Sequence, residues 1–235
     1  MSFYKRFAEY YDEIFPVDHK KVAFLEQKFS QSIDVLDLGC ATGGYTIALS
    51  NKNYKVDGID LSKEMIELAK LKQASHSPTF WVDDMKRLDA INRYDGIYSI
   101  GNTIVHLTTL DEIFKVLKRI YQALKQKGVF IIQIINYDRV LNDKLTSLPT
   151  IESPNVSFIR NYLHKPPLVE FHTQLVFKDD VFKDVTELFP MRSEELISML
   201  KKLGFKDIRA YSGFSEKPYQ KDDAFQLVIE ARKDE

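Results

Sequence analysis

The chain has 235 residues, 44% of them hydrophobic and 29% charged, enough for one large domain, with or without a modest insertion, and the wrong composition for a disordered chain. Lysine and arginine total 33 against 34 acidic residues, a net charge of −1, so no overall field draws the chain to nucleic acid or to an anionic membrane surface. The single cysteine, Cys40, excludes an intramolecular disulfide and a cysteine-built zinc site and suits a reducing cytoplasm, and the opening MSFYKRFAEYYDEIF has neither the apolar stretch nor the cleavage site of a signal peptide.

Short β-rich runs alternate along the chain with runs of helical period, the pattern of an α/β fold in which helices cover a parallel sheet. Ile33 to Leu38 reads as the first strand and Tyr54 to Ile59 as the second. Ser62 then offers an N-cap, and Leu61, Met65, Leu68 and Ala69 make one apolar helix face. Thr79 to Val82 and Asp95 to Ile100 are the third and fourth strands. Thr109 caps a longer helix with Leu110, Ile113, Phe114, Leu117, Ile120, Tyr121 and Leu124 at helical spacing, and Lys125, Lys127 and Gly128 supply its basic last turn and stop. Val129 to Ile135, the most apolar run, is expected to lie centrally.

After Asn136 the pattern changes. Val156 to His164, Leu168 to Lys178 and Phe182 to Phe189 carry β-favouring alternation broken by Pro-Pro and Asp-Asp turns, which predicts a small antiparallel sheet. An amphipathic helix over Ser193 to Leu203 ends at Gly204. Lys206 to Tyr211 and Ala224 to Ala231 follow too closely for a crossover helix, so they should pair antiparallel at one sheet edge. The expected division is therefore residues 1–136 and 191–235 as the main domain, with residues 137–190 inserted as a β cap.

The sharpest local feature is VLDLGCATGGYT, Val35 to Thr46: a buried strand, then small residues, then a helix start. Gly39, Ala41, Gly43 and Gly44 let a ligand approach the backbone at a helix N-terminus, where free N–H groups favour a phosphate or a carboxylate; a tight turn with close helix packing is the other reading. A dinucleotide fingerprint would place glycine where Ala41 stands, which weakens that alternative. Asp60 ends the second strand about twenty residues on, where a carboxylate can accept both hydroxyls of a ribose. Asp83, Asp84 and Met85 end the third strand, where a carboxylate could take an adenine amino group under a methionine, or the pair could be a solvated loop. The five histidines show no metal-ligand spacing, no Gly-x-Ser-x-Gly turn occurs, and Cys40 sits where the turn needs a small residue.

In this order the motifs resemble those of the class I S-adenosylmethionine (SAM)-dependent methyltransferases over almost the whole chain. Asp37 to Gly43 is similar to the family's first motif, Asp60 to its ribose-binding acid, Asp84 and Met85 to its adenine site, YDGIYSIGN to its fourth-strand motif, and LKQKGVFIIQ to the approach to its fifth strand. The resemblance implies a Rossmann-like sheet of seven mainly parallel strands with a reversed C-terminal hairpin. It also implies SAM-binding roles for Asp37, Gly39, Cys40, Ala41, Asp60 and Leu61. Further along the chain, it implies the same for Asp84, Met85, Ile100, Gly101 and His106. GNTIVHL, Gly101 to Leu107, and INYDRVL, Ile135 to Leu141, are similar to segments of the glycine N-methyltransferases. That subfamily implies a substrate-side role for Asn102 and a cofactor-side role for His106. It has an arginine for the amino-acid carboxylate where this chain has Ile135, which makes glycine a doubtful substrate. FAEYYDEIF resembles the aromatic lid of many relatives, which makes Tyr10 and Tyr11 site contacts; a packed amphipathic helix explains the same cluster.

The expected reaction is methyl transfer from SAM to a nitrogen or oxygen of a small acceptor, leaving S-adenosylhomocysteine. His106, Tyr11 and Tyr137 are the groups expected to assist the proton, and Asn102, Tyr11 and Tyr137 to meet the substrate. No nucleic-acid or membrane partner and no metal is expected, and the protein is read as a cytoplasmic monomer or homodimer. The alternatives are a methyltransferase for RNA or protein, and a SAM-binding protein without catalysis. The cap should cover the acceptor, with Arg160, Tyr162, His172 and Arg192 as polar groups that face either the substrate or the surface.

Overall fold

The computed structural model describes residues 3–29, 33–73 and 78–234; residues 1, 2 and 235, at the ends of the expected main domain, lie outside it. Two helices, α1 (Phe3–Ile14) and α2 (His19–Lys28), precede the first βα units. These are β1 (Asp34–Leu38), α3 (Gly44–Ser50), β2 (Lys55–Asp60), α4 (Lys63–Lys72), β3 (Thr79–Val82), β4 (Tyr94–Ser99), α5 (Leu110–Ala123) and β5 (Leu124–Ile135). A short helix, α6 (Tyr137–Asn142), leads into β6 (Ser147–Glu152), β7 (Ser157–Lys165), β8 (Leu168–Val176) and β9 (Val181–Leu188). The chain closes with α7 (Ser193–Leu203), β10 (Phe205–Ser212) and β11 (Gln226–Lys233).

The main sheet has seven strands in the order β10-β11-β5-β4-β1-β2-β3, and only the β11 pairings are antiparallel. The period-2 alternation of each strand sorts its side chains onto two faces. Leu36, Leu38, Ile97, Phe130 and Ile132 face α5 and α7, where Ile113, Leu117, Ile120, Leu196 and Leu200 complete one core. Val35, Val56, Tyr98, Ile131 and Val228 face the other way, onto Val22, Leu25, Phe29 and Leu49. β5 is buried on both faces, as its unbroken apolar run requires, and lies beside the middle strand β4. β6 to β9 form a separate four-stranded antiparallel sheet. Pro166-Pro167 turns β7 into β8, and Asp179-Asp180 turns β8 into β9.

The long helix departs from expectation at its end. It begins at Thr109, whose hydroxyl accepts Glu112 N–H at 3.2 Å, but stops at Ala123. Leu124 is already paired with Tyr94 of β4, so Lys125 to Gly128 form an irregularity in the strand and not a basic helical turn. Lys125 instead meets Asp34 at 2.7 Å and Asp95 at 3.1 Å. The face of α4 also differs: Met65, Ile66 and Ala69 are buried while Leu61, ahead of the helix, is 70% exposed. Ser62 caps α4 as expected, accepting Met65 N–H at 3.2 Å. Among the described residues no helix is long and apolar enough to cross a membrane.

Candidate active site

The glycine turn after β1 is built by three left-handed residues, Gly39, Ala41 at φ +47° and Gly43. Gly39 has φ +86°, and a Cβ there would stand 2.4 Å from Thr103 Cγ2; Gly43 has φ +75°, and a Cβ there would strike the Phe80 ring. Only glycine fits either place. Three amides of this turn, ahead of the start of α3, are already committed. Gly39 and Cys40 N–H both donate to Ile59 O, at 2.8 and 2.9 Å, and Ala41 N–H donates to Asp60 Oδ2 at 2.8 Å. The parallel pairing of β1 with β2 brings that carbonyl and that carboxylate under the turn. Cys40 is buried, and burial followed by the charges of Asp37 and Asp60 pushes its thiol far above the ordinary range. It packs as a spacer and is no nucleophile.

Two acids lie beneath and beside this turn. Asp37 is 2% exposed and accepts Thr46 Oγ1 at 2.6 Å and Tyr98 OH at 2.8 Å. Burial pushes it up to about 7 against the pull of those two hydroxyls. Asp60 accepts Ser62 N–H on its other oxygen at 2.9 Å, and burial raises it against the backbone N–H groups it receives. The ends of β2 and β3 stay linked through Asp83 N–H to Asp60 O at 3.0 Å. Asp84 Oδ1 accepts Lys86 N–H at 2.9 Å and so starts a single helical turn that presents half-buried Met85. Asp60, exposed Leu61, Asp84 and Met85 thus share one stretch of the sheet's carboxyl edge.

The loop after β4 forms the opposite wall. Ile100 is buried, but Gly101, at φ +87°, is exposed, and a Cβ there would meet nothing within 4 Å. Its N–H donates to Gln133 Oε1 at 2.7 Å. Asn102, itself left-handed at φ +69°, donates through Nδ2 to Tyr137 OH at 2.9 Å and accepts Ile135 N–H at 2.9 Å. Both ends of the Asn102 amide therefore tie the loop to β5 and α6. Tyr137 is 1% exposed, and burial raises its hydroxyl well above the ordinary value, which makes it a poor proton acceptor. Ile135, also buried, belongs to the main core. His106 differs from all of these: it is exposed, yet the protein around it costs its imidazolium solvation and lowers its pKa.

α1 closes over the turn. Asp12 accepts Thr42 Oγ1 at 2.5 Å and meets Lys72 Nζ of α4 at 2.6 Å. Tyr11 stands between Phe7 and Phe15, at 5.4 and 5.2 Å between ring centroids. Burial, with the charges of Asp60 and Asp37, drives its hydroxyl far up. The opposite flank of α1 packs on the small sheet: Phe7 and Phe15 meet Phe158, Tyr10 meets Phe177, and Glu13 accepts Asn155 N–H and Nδ2–H at 2.9 and 3.0 Å. Tyr10 is thereby a packing residue, and Tyr11 the one that senses the acids. Of the cap's polar groups, Arg160 and Tyr162 are buried. His172 is half-buried beside Glu170 at 3.0 Å on the other face of β8, and Arg192 holds Asn142 at 3.0 Å at the start of α7.

Residues 35–128, from β1 through the Asp60 strand end to the start of β5, match the family described as a methyltransferase domain. The chain carries a SAM-dependent methyltransferase domain. The methyltransferase is 28% identical to a glycine/sarcosine N-methyltransferase of Aphanothece halophytica over 85% of this chain and 76% of that protein. Its fold matches a SAM-dependent methyltransferase of Clostridium acetobutylicum with a TM-score of 0.84, 24% identity and 99% of both chains covered. It also matches SAM-bound CalS10, an amino pentose methyltransferase of Micromonospora echinaspora, with a TM-score of 0.73, 15% identity and 97% of both chains covered. The site fits SAM on its own terms. Open space at Gly101, apolar surface at Leu61 and Met85, and paired amides beside two acids suit an adenosine that carries a cation. Three supports were not read from the sequence. Gln133, Thr42 with Asp12, and Thr46 with Tyr98 act between elements distant in sequence, and no local motif marks them.

Proposed function

We propose that the methyltransferase transfers a methyl group to a nitrogen or oxygen of a small molecule held between α1, the 101–106 loop and the β6 to β9 sheet. The observation that carries this reading is the packing of α1 against both the glycine turn and the β6 to β9 sheet, with His106 on the neighbouring 101–106 loop and its imidazole biased to the neutral form. When bound, SAM supplies an electrophilic methyl group on a sulfonium. The chain's own share is alignment and exclusion of water, for which well-oriented reactants gain about 7–11 kcal/mol.

An amine must lose its proton before it attacks, and neutral His106 is the group able to take it. Tyr11 and Tyr137, both raised by burial, stay protonated and serve as hydrogen-bond donors or packing surfaces. In this division of labour residues 1–136 and 191–235 hold the cofactor, and residues 137–190 cover the acceptor and set its identity. The test is a panel of amines, phenols and acids incubated with SAM and read by S-adenosylhomocysteine formed. Turnover of a subset supports the reading. Silence across the panel, with turnover of RNA or protein, overturns the substrate class.

A further inference from the structure

The inner face of β7 presents Phe158, Arg160 and Tyr162 in alternation, all buried. Phe158 touches Phe7 and Phe15 of the lid helix. At the other end the Tyr162 ring lies 6.3 Å from that of Tyr137, whose hydroxyl holds Asn102. Arg160 therefore sits midway between the lid and the loop that carries His106. It is 9% exposed, and one of its terminal nitrogens donates to Pro149 O at 2.6 Å. Among the described residues its Nε is buried without any hydrogen-bond partner, no carboxylate pairs with the guanidinium, and the buried Tyr162 hydroxyl, which meets that of Tyr137, has no acceptor for its own proton. Native folds rarely leave such groups unmatched, since each costs the solvation it has lost.

We propose that Arg160 Nε and Tyr162 OH bind the carboxylate of the methyl acceptor, so that the acceptor class is a small carboxylic acid. This rests on the small-molecule reading above. Both partners are donors: burial pushes the Tyr162 hydroxyl up to about 12, so it keeps its proton, and the Arg160 cation pays its burial without a counter-ion until an anion arrives. A planar carboxylate offers two acceptors to two such donors. The charge also replaces what Ile135 cannot supply, from a different wall of the site. A guanidinium over the Phe158 ring at 5.7 Å is held in place before the ligand binds.

The experiment is calorimetry on the protein loaded with S-adenosylhomocysteine, using matched pairs: sarcosine and sarcosinamide, 4-hydroxybenzoate and 4-hydroxybenzamide. At least one carboxylate should bind about tenfold or more tighter than its amide. R160M should abolish that preference, R160K should keep part of it, and Y162F should reduce it, all with unchanged SAM affinity. Absence of any carboxylate preference in the parent protein overturns the proposal, and so does a preference that survives R160M. A loss of SAM affinity in R160M overturns it as well, since the guanidinium would then serve the cofactor's own carboxylate. If R160M only melts lower and the parent discriminates nothing, Arg160 is a structural tie through Pro149. A parent that binds SAM and methylates only neutral acceptors leaves the small-molecule reading standing while this one falls; a parent that binds no SAM removes both.

Discussion

The Gly39→Ala substitution probes how the cofactor turn and the 101–106 loop are locked together. An added Cβ would stand 2.4 Å from Thr103 Cγ2 and 2.9 Å from its Oγ1, on a backbone at φ +86°. Thr103 is β-branched and its hydroxyl is committed to Ile100 O at 3.0 Å, so it cannot swing away. A left-handed alanine costs about 1–2 kcal/mol, and the overpacking adds about 1–3 kcal/mol. The expected loss of about 2–5 kcal/mol is a large part of an ordinary domain's stability. Thr103→Ala removes both close atoms, so the double variant should recover the packing share and keep only the backbone strain. Urea unfolding of the parent, both single variants and the double variant gives the coupling energy, expected at about 1–3 kcal/mol. If the two substitutions add to within about 0.5 kcal/mol, the contact does not govern the turn and the reasoning fails.

Asp60→Ala should weaken SAM binding at least about tenfold, because it removes the ribose acceptor and frees the Ala41 amide; unchanged affinity by calorimetry would reject that role. Asp37 lies at about 7 in the folded protein against an ordinary 3.8, so the folded chain keeps a proton that the unfolded chain has released. Stability should therefore fall as pH rises from about 4 to about 7, and calorimetric scans of Asp37→Asn should lose this slope; a parental slope in the variant would discard the assignment. Gln133→Leu leaves the Gly101 amide without its acceptor and should cost about 1–3 kcal/mol in urea unfolding, with a neutral result counting against the strut. Asp12→Ala unlatches α1 from Thr42 and Lys72 and should speed SAM dissociation about two- to tenfold in stopped-flow traces, so an unchanged rate would mean that the lid contact does not gate release.

Much of this architecture is legible because burial on both faces leaves an unmistakable run of letters. Val129 to Ile135 could be little else than an inner strand, and Thr79 to Val82 and Ser193 to Leu203 coincide with β3 and α7. The antiparallel sheet was readable from its alternation and its turns, except β6, where Pro149 interrupts the pattern on an edge strand. The helix α5 overran because Leu124 continues its apolar spacing, while the pairing with Tyr94 that ends it is a tertiary contact. At the site, residue types were readable and their commitments were not. Nothing in the sequence tells that Asn102 spends both ends of its amide on Tyr137 and Ile135, or that the Gly39 and Cys40 amides go to Ile59 O. Such pairings depend on register and loop direction, which a one-dimensional pattern does not carry.

The committed amides of the turn also decide what this site refuses. ATP carries the same adenosine as SAM, so any sorting between them falls on what lies beyond the ribose. A triphosphate entering there would find the Gly39, Cys40 and Ala41 donors already spent and would face the Asp60 carboxylate that takes the last of them. A sulfonium meets the same acid as opposite charge. Charge alone should therefore favour the sulfonium carrier over the triphosphate at this turn.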